Sequence, residues 1–263
     1  MKMNELSPHT FKALAHQLGH DRPQDTRHIW QRRLSITSEF CSALVSCGYL
    51  KQEQMQRAAQ RYRLGASRDH GVIFWQIDDH EVIHDGKIMH YRPDCHRDHD
   101  RKPSWVCYHL RSHGLLPQDF KADHCLFGLH LLAASAEEGK TICVVEAEKT
   151  AVIMSEVKPD YLWMATGGKT ELNVARLKPL AGHKVILFPD TDETGDNYRE
   201  WFDVAQAASD IFGHPVTISS ILEQQASLAQ KAAKIDLVDL LFPSQKHKIY
   251  SNLLISNGAE ISF

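Results

Sequence analysis

No apolar run in this 263-residue chain approaches the roughly 20 residues a membrane-spanning helix requires. Its first residues, Met1-Lys2-Met3-Asn4-Glu5-Leu6-Ser7, lack the apolar stretch and small-residue cleavage site of a secretory signal. A cytoplasmic protein with no membrane partner is expected. Cysteine is sparse: Cys41, Cys47, Cys95, Cys107, Cys125 and Cys143 contain no C-x-x-C pair, and without an export signal they read as reduced thiols. With 14 glycines and 10 prolines, collagen-like and disordered compositions are excluded. There is no excess of positive charge, 30 Lys and Arg standing against 33 Asp and Glu, whereas nucleic-acid domains are usually clearly basic. No internal repeat or low-complexity tract is present.

Hydrophobic residues make up 43% and charged residues 24%, a globular composition sized for one large domain or two small ones. The charge is uneven. Residues 1–70 carry 11 basic against 6 acidic side chains, and residues 141–263 carry 11 against 16. A basic front and an acidic back fit a phosphate surface beside a metal site, and also fit chance variation between solvated faces. Of 17 histidines, 14 precede residue 141.

Periodicity divides the chain into residues 1–64, helical; 65–139, α+β; 140–245, α/β; and a tail, 246–263. Apolar positions three and four apart predict helices through Phe11, Leu14 and Leu18, and through Phe40, Ala43 and Leu44 to Gly48. Residues 51–63 predict a polar helix with Arg57, Arg61 and Arg63 on one face. Strands are expected over 72–77, 81–84 and 87–92, turning at Asp78-Asp79-His80 and again at Asp85-Gly86, with a further strand over Trp105–Leu110. Beyond Lys140, strands at 141–145, 161–165, 184–188 and 216–221 alternate with helices at 149–157, 171–177, 197–212 and 223–233. The third helix is expected to place Tyr198, Phe202, Ala205 and Phe212 on one face. This alternation predicts a parallel α/β sheet flanked by helices.

Ligands of open parallel sheets sit beyond the carboxyl ends of the strands. There the sequence places Glu146-Ala147-Glu148-Lys149, Thr166-Gly167-Gly168-Lys169, Pro189-Asp190-Thr191-Asp192 and Lys234-Ile235-Asp236 with Asp239. Converging carboxylates repel unless a cation relieves them, and hard oxygen donors suit Mg²⁺ or Mn²⁺. The Asp-Thr-Asp-Glu-Thr-Gly run also reads as an acidic turn capping the next helix. Gly167-Gly168-Lys169-Thr170 lacks the first glycine of a P-loop. No G-x-G-x-x-G follows the first parallel strand, which disfavours a dinucleotide-binding enzyme.

These four motifs in this order resemble the Toprim domain of bacterial primases, topoisomerases and some nucleases, over about residues 140–245. The resemblance implies Glu146 as general acid or base, Asp190 and Asp192 as Mg²⁺ ligands, and Asp236 with Asp239 as further metal ligands. Ala147 stands where the family often has glycine. The preceding segment, Tyr62-Arg63-Leu64-Gly65, then 71–78 and 86–92, resembles the subdomain ahead of Toprim in primases. The run from about residue 50 is similar to Toprim proteins of Bacteroidetes mobile elements and plasmids.

The resemblance implies a primase-like, Mg²⁺-dependent nucleotidyltransferase in DNA replication. Single-stranded DNA template and nucleoside triphosphates are its substrates; a replicative helicase or mobilisation proteins are candidate partners. It places DNA contacts on Arg61, Lys87, Arg92 and Arg97. Lys87 and Arg92 read equally well as the polar face of a half-exposed sheet. Lys149 and Lys169 are phosphate-contact candidates. A Toprim nuclease would use the same carboxylates, and a non-catalytic DNA-binding accessory would keep the fold without turnover. A topoisomerase would need a tyrosine on a further large domain. The residues Cys95, His96, His99, Cys107, His109, His113, His124 and Cys125 match no zinc ribbon or finger spacing, so zinc is not expected.

Overall fold

The computed structural model describes residues 13–15, 17, 22–23, 38–135 and 139–243. The expected helix through Phe11 and Leu18 falls largely outside them, as does the tail from 246. Two sheets form the frame. An antiparallel sheet runs in the order β1 (Arg22–Pro23), β2 (Gly65–Ala66), β3 (Val72–Ile77), β4 (Ile83–Met89) and β5 (Ser104–Trp105). A second sheet contains β6 (Ile142–Val145), β7 (Leu162–Ala165), β8 (Val185–Phe188) and β9 (Val216–Ile218) in the order β7-β6-β8-β9, every pairing parallel. The α/β class and the parallel sheet expected from the alternation are present. The strands β6 and β7 are buried throughout, which is why they read as continuous apolar runs.

Helices α1 (Glu39–Ser46) and α2 (Gln52–Arg61) lie where the apolar spacing predicts. Two arginines expected on the basic face of α2 reach one carboxylate: Arg57 and Arg61 both pair with Glu156, at 2.7 and 3.0 Å. Glu156 belongs to α5 (Glu148–Val157), and Tyr62, completely buried, donates its hydroxyl to the Trp163 carbonyl at 2.8 Å. One apolar cluster therefore joins Phe40, Leu44, Met55, Tyr62 and Phe74 to Val145, Trp163 and Phe188. At about 1.5–3 kcal/mol for each large side chain removed from water, this shared core binds the antiparallel layer to the parallel one.

Two expectations are corrected in the antiparallel half. Asp85-Gly86 is no turn but mid-strand in β4, which runs unbroken opposite β3. Glycine is required there because a Cβ would lie 2.7 Å from Ile73 and 2.8 Å from the Trp75 ring. The strand expected over Trp105–Leu110 ends at Trp105, and α3 (Val106–Ser112) begins. The Asp85 carboxylate accepts the Cys107 N–H at 3.0 Å, supplying an acceptor to the first turn of α3 from another element. Val106, Cys107 and Leu110 then pack on Ile73, Trp75 and Ile88. The turn at Asp78 is present, its carboxylate accepting the N–H groups of His80 and Val82 at 2.9 and 2.8 Å. The one-turn α4 (Leu132–Ser135) precedes β6.

The parallel half differs from the sequence reading in three details. The helix expected over 171–177 is a 3₁₀ turn, Lys169–Glu171, followed by α6 (Val174–Leu177), because Asn173 caps the second segment through the Arg176 N–H at 3.0 Å. In α7 (Asp196–Phe212) the buried face is Asn197, Trp201, Ala205 and Ala208, while Phe202 is exposed. Tryptophan one turn from Asn197 fixes that phase. The helix expected over 223–233 is broken into α8 (Ile221–Gln225) and α9 (Leu228–Ala232) by a capping box at Ser227. A last short helix, α10 (Leu237–Leu241), begins at Asp236.

Candidate functional site

The site forms at the carboxyl edge of the parallel sheet. Val145 of β6 pairs with Phe188 of β8, so Glu146 and Asp190, one and two residues beyond those ends, emerge on neighbouring strands. The loop after β7 closes on the first of them: Gly167 N–H donates to the Glu146 carbonyl at 2.9 Å, and the Thr166 hydroxyl donates to the same oxygen at 3.3 Å. Gly167 takes a positive φ of 89°, and a Cβ there would lie 3.1 Å from the Glu148 carboxylate.

Asn197, buried in the first turn of α7, joins the two strand ends. Its side-chain amide donates to the Asp190 carbonyl at 2.8 Å and reaches the Glu146 carboxylate at 3.4 Å. Asp192 accepts the backbone N–H groups of Asp196 and Asn197, both at 2.9 Å. The capping alternative read from the sequence is thus realised at this residue. Asp236 does the same for α10: it accepts the Asp239 N–H at 2.8 Å and the Thr150 hydroxyl at 2.5 Å.

The charges are opposed to one another. Burial raises the Glu146 pKa, with the Asp236 charge adding to it and Asn197, Lys169 and Lys87 opposing it. Asp190 is pushed well above the ordinary carboxylate value by burial and by the charges of Asp236, Glu146 and Asp239. Burial also works against Asp192, but the backbone N–H groups of Asn197, Asp196 and Gly195 outweigh it and hold that carboxyl low. Lys149 loses hydration, yet Asp236 and Asp239 more than compensate and raise its pKa. Lys169 approaches Asp192 at 3.6 Å. Among the described residues, no three His, Cys, Asp or Glu side chains are arranged to hold a metal ion as they stand.

The basic residues singled out in the sequence are dispersed. Lys87 turns inward from β4 to Glu148 at 3.1 Å and donates to the Gly167 carbonyl. Arg61 is held by Glu156 and the Ser155 carbonyl. Arg92 lies on the surface beside Asp94 at 3.4 Å, and Arg97 is exposed where residue 97 bridges Tyr91. Of the histidine and cysteine cluster, Cys95 and Cys107 are buried and His124 stacks on Trp105 at 4.1 Å while meeting Asp85 at 3.2 Å. Cys125, half-buried, has its thiol pushed by burial up to about 12.

Three participants escaped sequence reasoning. Glu148 was quoted within its motif with no role, since its partner comes from another sheet. Thr150 is a β-branched helix residue whose hydroxyl partner, Asp236, lies far away in the sequence. Asn197 stands five residues beyond Asp192, and an amide in the first turn of the following helix is the only signal that could have marked it.

Residues 38–191 match the family model described as "Domain of unknown function (DUF6371)". This is more than half of the chain, and the chain belongs to that family. No curated protein matches it. Among solved structures, a DnaG primase catalytic domain bound to single-stranded DNA is similar over 90% of this chain and 84% of that one, at 14% identity and a TM-score of 0.50. The primase fragment of the bacteriophage T7 primase–helicase is similar at 18% identity and a TM-score of 0.43, covering 72% of this chain and 66% of the fragment. The Aquifex aeolicus primase, with its zinc-binding and RNA polymerase domains, gives 12% identity and a TM-score of 0.47, covering 79% of this chain and 55% of that one. The fold is that of primase catalytic domains.

Proposed function

We propose that this protein is a primase-like nucleotidyltransferase dependent on Mg²⁺ or Mn²⁺, acting on a single-stranded DNA template in the replication of a mobile element or plasmid. The observation that carries this reading is the mutual opposition of Glu146, Asp190 and Asp236 beside the buried Asn197, on a sheet edge of a primase fold. Like charges crowded in a partly desolvated corner favour a bound cation.

Glu146, Asp190 and Asp192 would hold the cation, with Asp236 and Asp239 adding negative potential behind them. A divalent ion there supplies orientation of the triphosphate and offsets charge developing during in-line displacement. Glu146, once ionised, can take the proton of an attacking hydroxyl. Lys149 and Lys169 flank the acidic group and suit the phosphates. Arg92 and Arg97, which are exposed, suit the template backbone; Arg61 and Lys87, tied to Glu156 and Glu148, are less free to reach it. A helicase or mobilisation protein would deliver the template.

A second reading, a non-catalytic DNA-binding accessory, is favoured by one observation: Asp192 and Asp236 both use their carboxylates to cap helices. Primer synthesis on single-stranded DNA with labelled nucleotides separates the two. Product from wild type and none from Asp190→Ala supports the primase reading. Template degradation in Mn²⁺ instead points to a nuclease. Retained DNA binding with neither activity supports the accessory.

A further inference from the structure

Cys47 caps the carboxyl end of α1, and its thiol donates to the Pro93 carbonyl at 3.2 Å. Pro93 lies in the turn that holds Cys95. That turn is closed by the Cys95 N–H on the Arg92 carbonyl at 2.9 Å and by the Arg92 N–H on the His96 carbonyl at 2.8 Å. Cys95 is buried in the apolar cluster against which Cys47 packs, and the two thiols are hydrogen-bonding neighbours. Cys95 also holds a positive φ of 66°, a backbone conformation that a side chain with a Cβ adopts at a cost and that asparagine, aspartate or glycine usually fills. Apolar packing alone gives no reason for cysteine there. A second thiol beside it does.

The two sulfurs differ in access. Cys95 is buried and Cys47 only half-buried, so a reagent in solution meets Cys47 first. Burial pushes the Cys95 thiol above its ordinary pKa, the charge and hydrogen bond of Cys47 add to this, and Lys149 opposes it. Capping Cys47 removes that neighbouring charge and leaves Cys95 free to ionise near Lys149. An accessible thiol with a resolving thiol behind it is the arrangement of redox-sensing cysteines.

We propose that Cys47 and Cys95 are a reversible redox pair, closed to a disulfide by exchange with a low-molecular-weight disulfide such as oxidised glutathione, and that the bond ties the end of α1 to the turn bearing the exposed Arg92 and Arg97. The Cys47 thiolate attacks one glutathione sulfur, forming a mixed disulfide and releasing one glutathione thiol. The Cys95 thiolate then attacks the Cys47 sulfur and displaces the second. Two protein thiols are oxidised by two electrons, one glutathione disulfide is reduced to two thiols, and the two protons pass from the protein sulfurs to glutathione. The pair does not depend on the chemistry read at the sheet edge.

The test is incubation of the folded, full chain with oxidised glutathione, followed by thiol counting and peptide mapping without reductant. The expected result is loss of two of the six thiols, a single bridge joining Cys47 to Cys95, and full recovery with dithiothreitol. Cys95→Ser should stop with glutathione held on Cys47, and Cys47→Ser should leave Cys95 unmodified. A wild type that keeps all six thiols, that stops at the Cys47 mixed disulfide, or that bridges a different pair overturns the inference. Hydrogen exchange of the wild type reads the tether. Amides over 92–97 should exchange more slowly after oxidation, and unchanged exchange overturns the tie between α1 and the turn.

Discussion

Lys87 in the antiparallel sheet and Glu148 at the start of α5 form an ion pair of 3.1 Å, with side chains 12% and 3% exposed. The Lys87 ammonium also donates to the Gly167 carbonyl, so one cation joins the antiparallel layer to the start of α5 and to the loop after β7. A pair this deeply buried is costly to break on one side, because the survivor is left charged and alone. Glu148→Gln and Lys87→Met should each destabilise by about 3–5 kcal/mol, whereas the double variant should recover much of that loss. Urea unfolding of all four proteins as a double-mutant cycle reads the coupling, and additive losses would show that the pair is not coupled.

Asp190 predicts a trade between stability and activity. Its folded pKa is raised, so the native state holds the proton more tightly than the unfolded chain. The associated stability is full below the unfolded value of 3.8 and is lost as pH rises through the folded pKa. At pH 7 Asp190→Asn should therefore melt higher than wild type, by about 2–4 °C for each kcal/mol relieved, while losing Mn²⁺ uptake. Calorimetry without metal measures the first effect. A lower melting temperature would mean that the carboxylate is not strained.

Asp69 shows the opposite sign. Burial opposes its ionisation, but the Ser67 hydroxyl, His90 and Arg101 lower its pKa from 3.8 to about 2. Its contribution is complete above the unfolded value and is lost as pH falls from about 4 towards about 2. Asp69→Asn should flatten the acid limb of the stability curve in that window and leave the limb above pH 5 parallel to wild type. Because the side chain is 55% exposed, the effect should shrink in high salt.

Gly86→Ala tests the corrected strand. The new methyl would press on Ile73 and Trp75 at under 3 Å, and overpacking of this kind costs about 1–3 kcal/mol. Were Asp85-Gly86 a solvent-facing turn, alanine would be nearly neutral. Thermal unfolding followed by far-UV circular dichroism decides between these outcomes.

Most of the parallel half was legible in the sequence. Buried β-strands such as Ile142–Val145 betray themselves as unbroken apolar runs, and the order of carboxylates after them located the sheet edge. Less was legible where one element is completed by another. Trp105–Leu110 has the composition of a strand, but the Asp85 carboxylate from β4 turns it into a helix. The arginines of α2 look like a solvated face and are instead tied to Glu156 of α5. Asp190 and Asp192 read as equivalent partners two positions apart. One of them is crowded and raised and the other caps a helix and is lowered, a difference set by the start of α7.

The order β7-β6-β8-β9 leaves the parallel sheet two rims of unlike character. Along β7 the ladder is closed by Phe127, which exchanges backbone hydrogen bonds with Ala165 in both directions. At β9 the open rim is only three residues long, Val216–Ile218. A rim so short gives a neighbouring molecule little to zip onto, so crowded copies of this protein should resist strand-to-strand polymerisation, and lengthening β9 would be the quickest way to lose that protection.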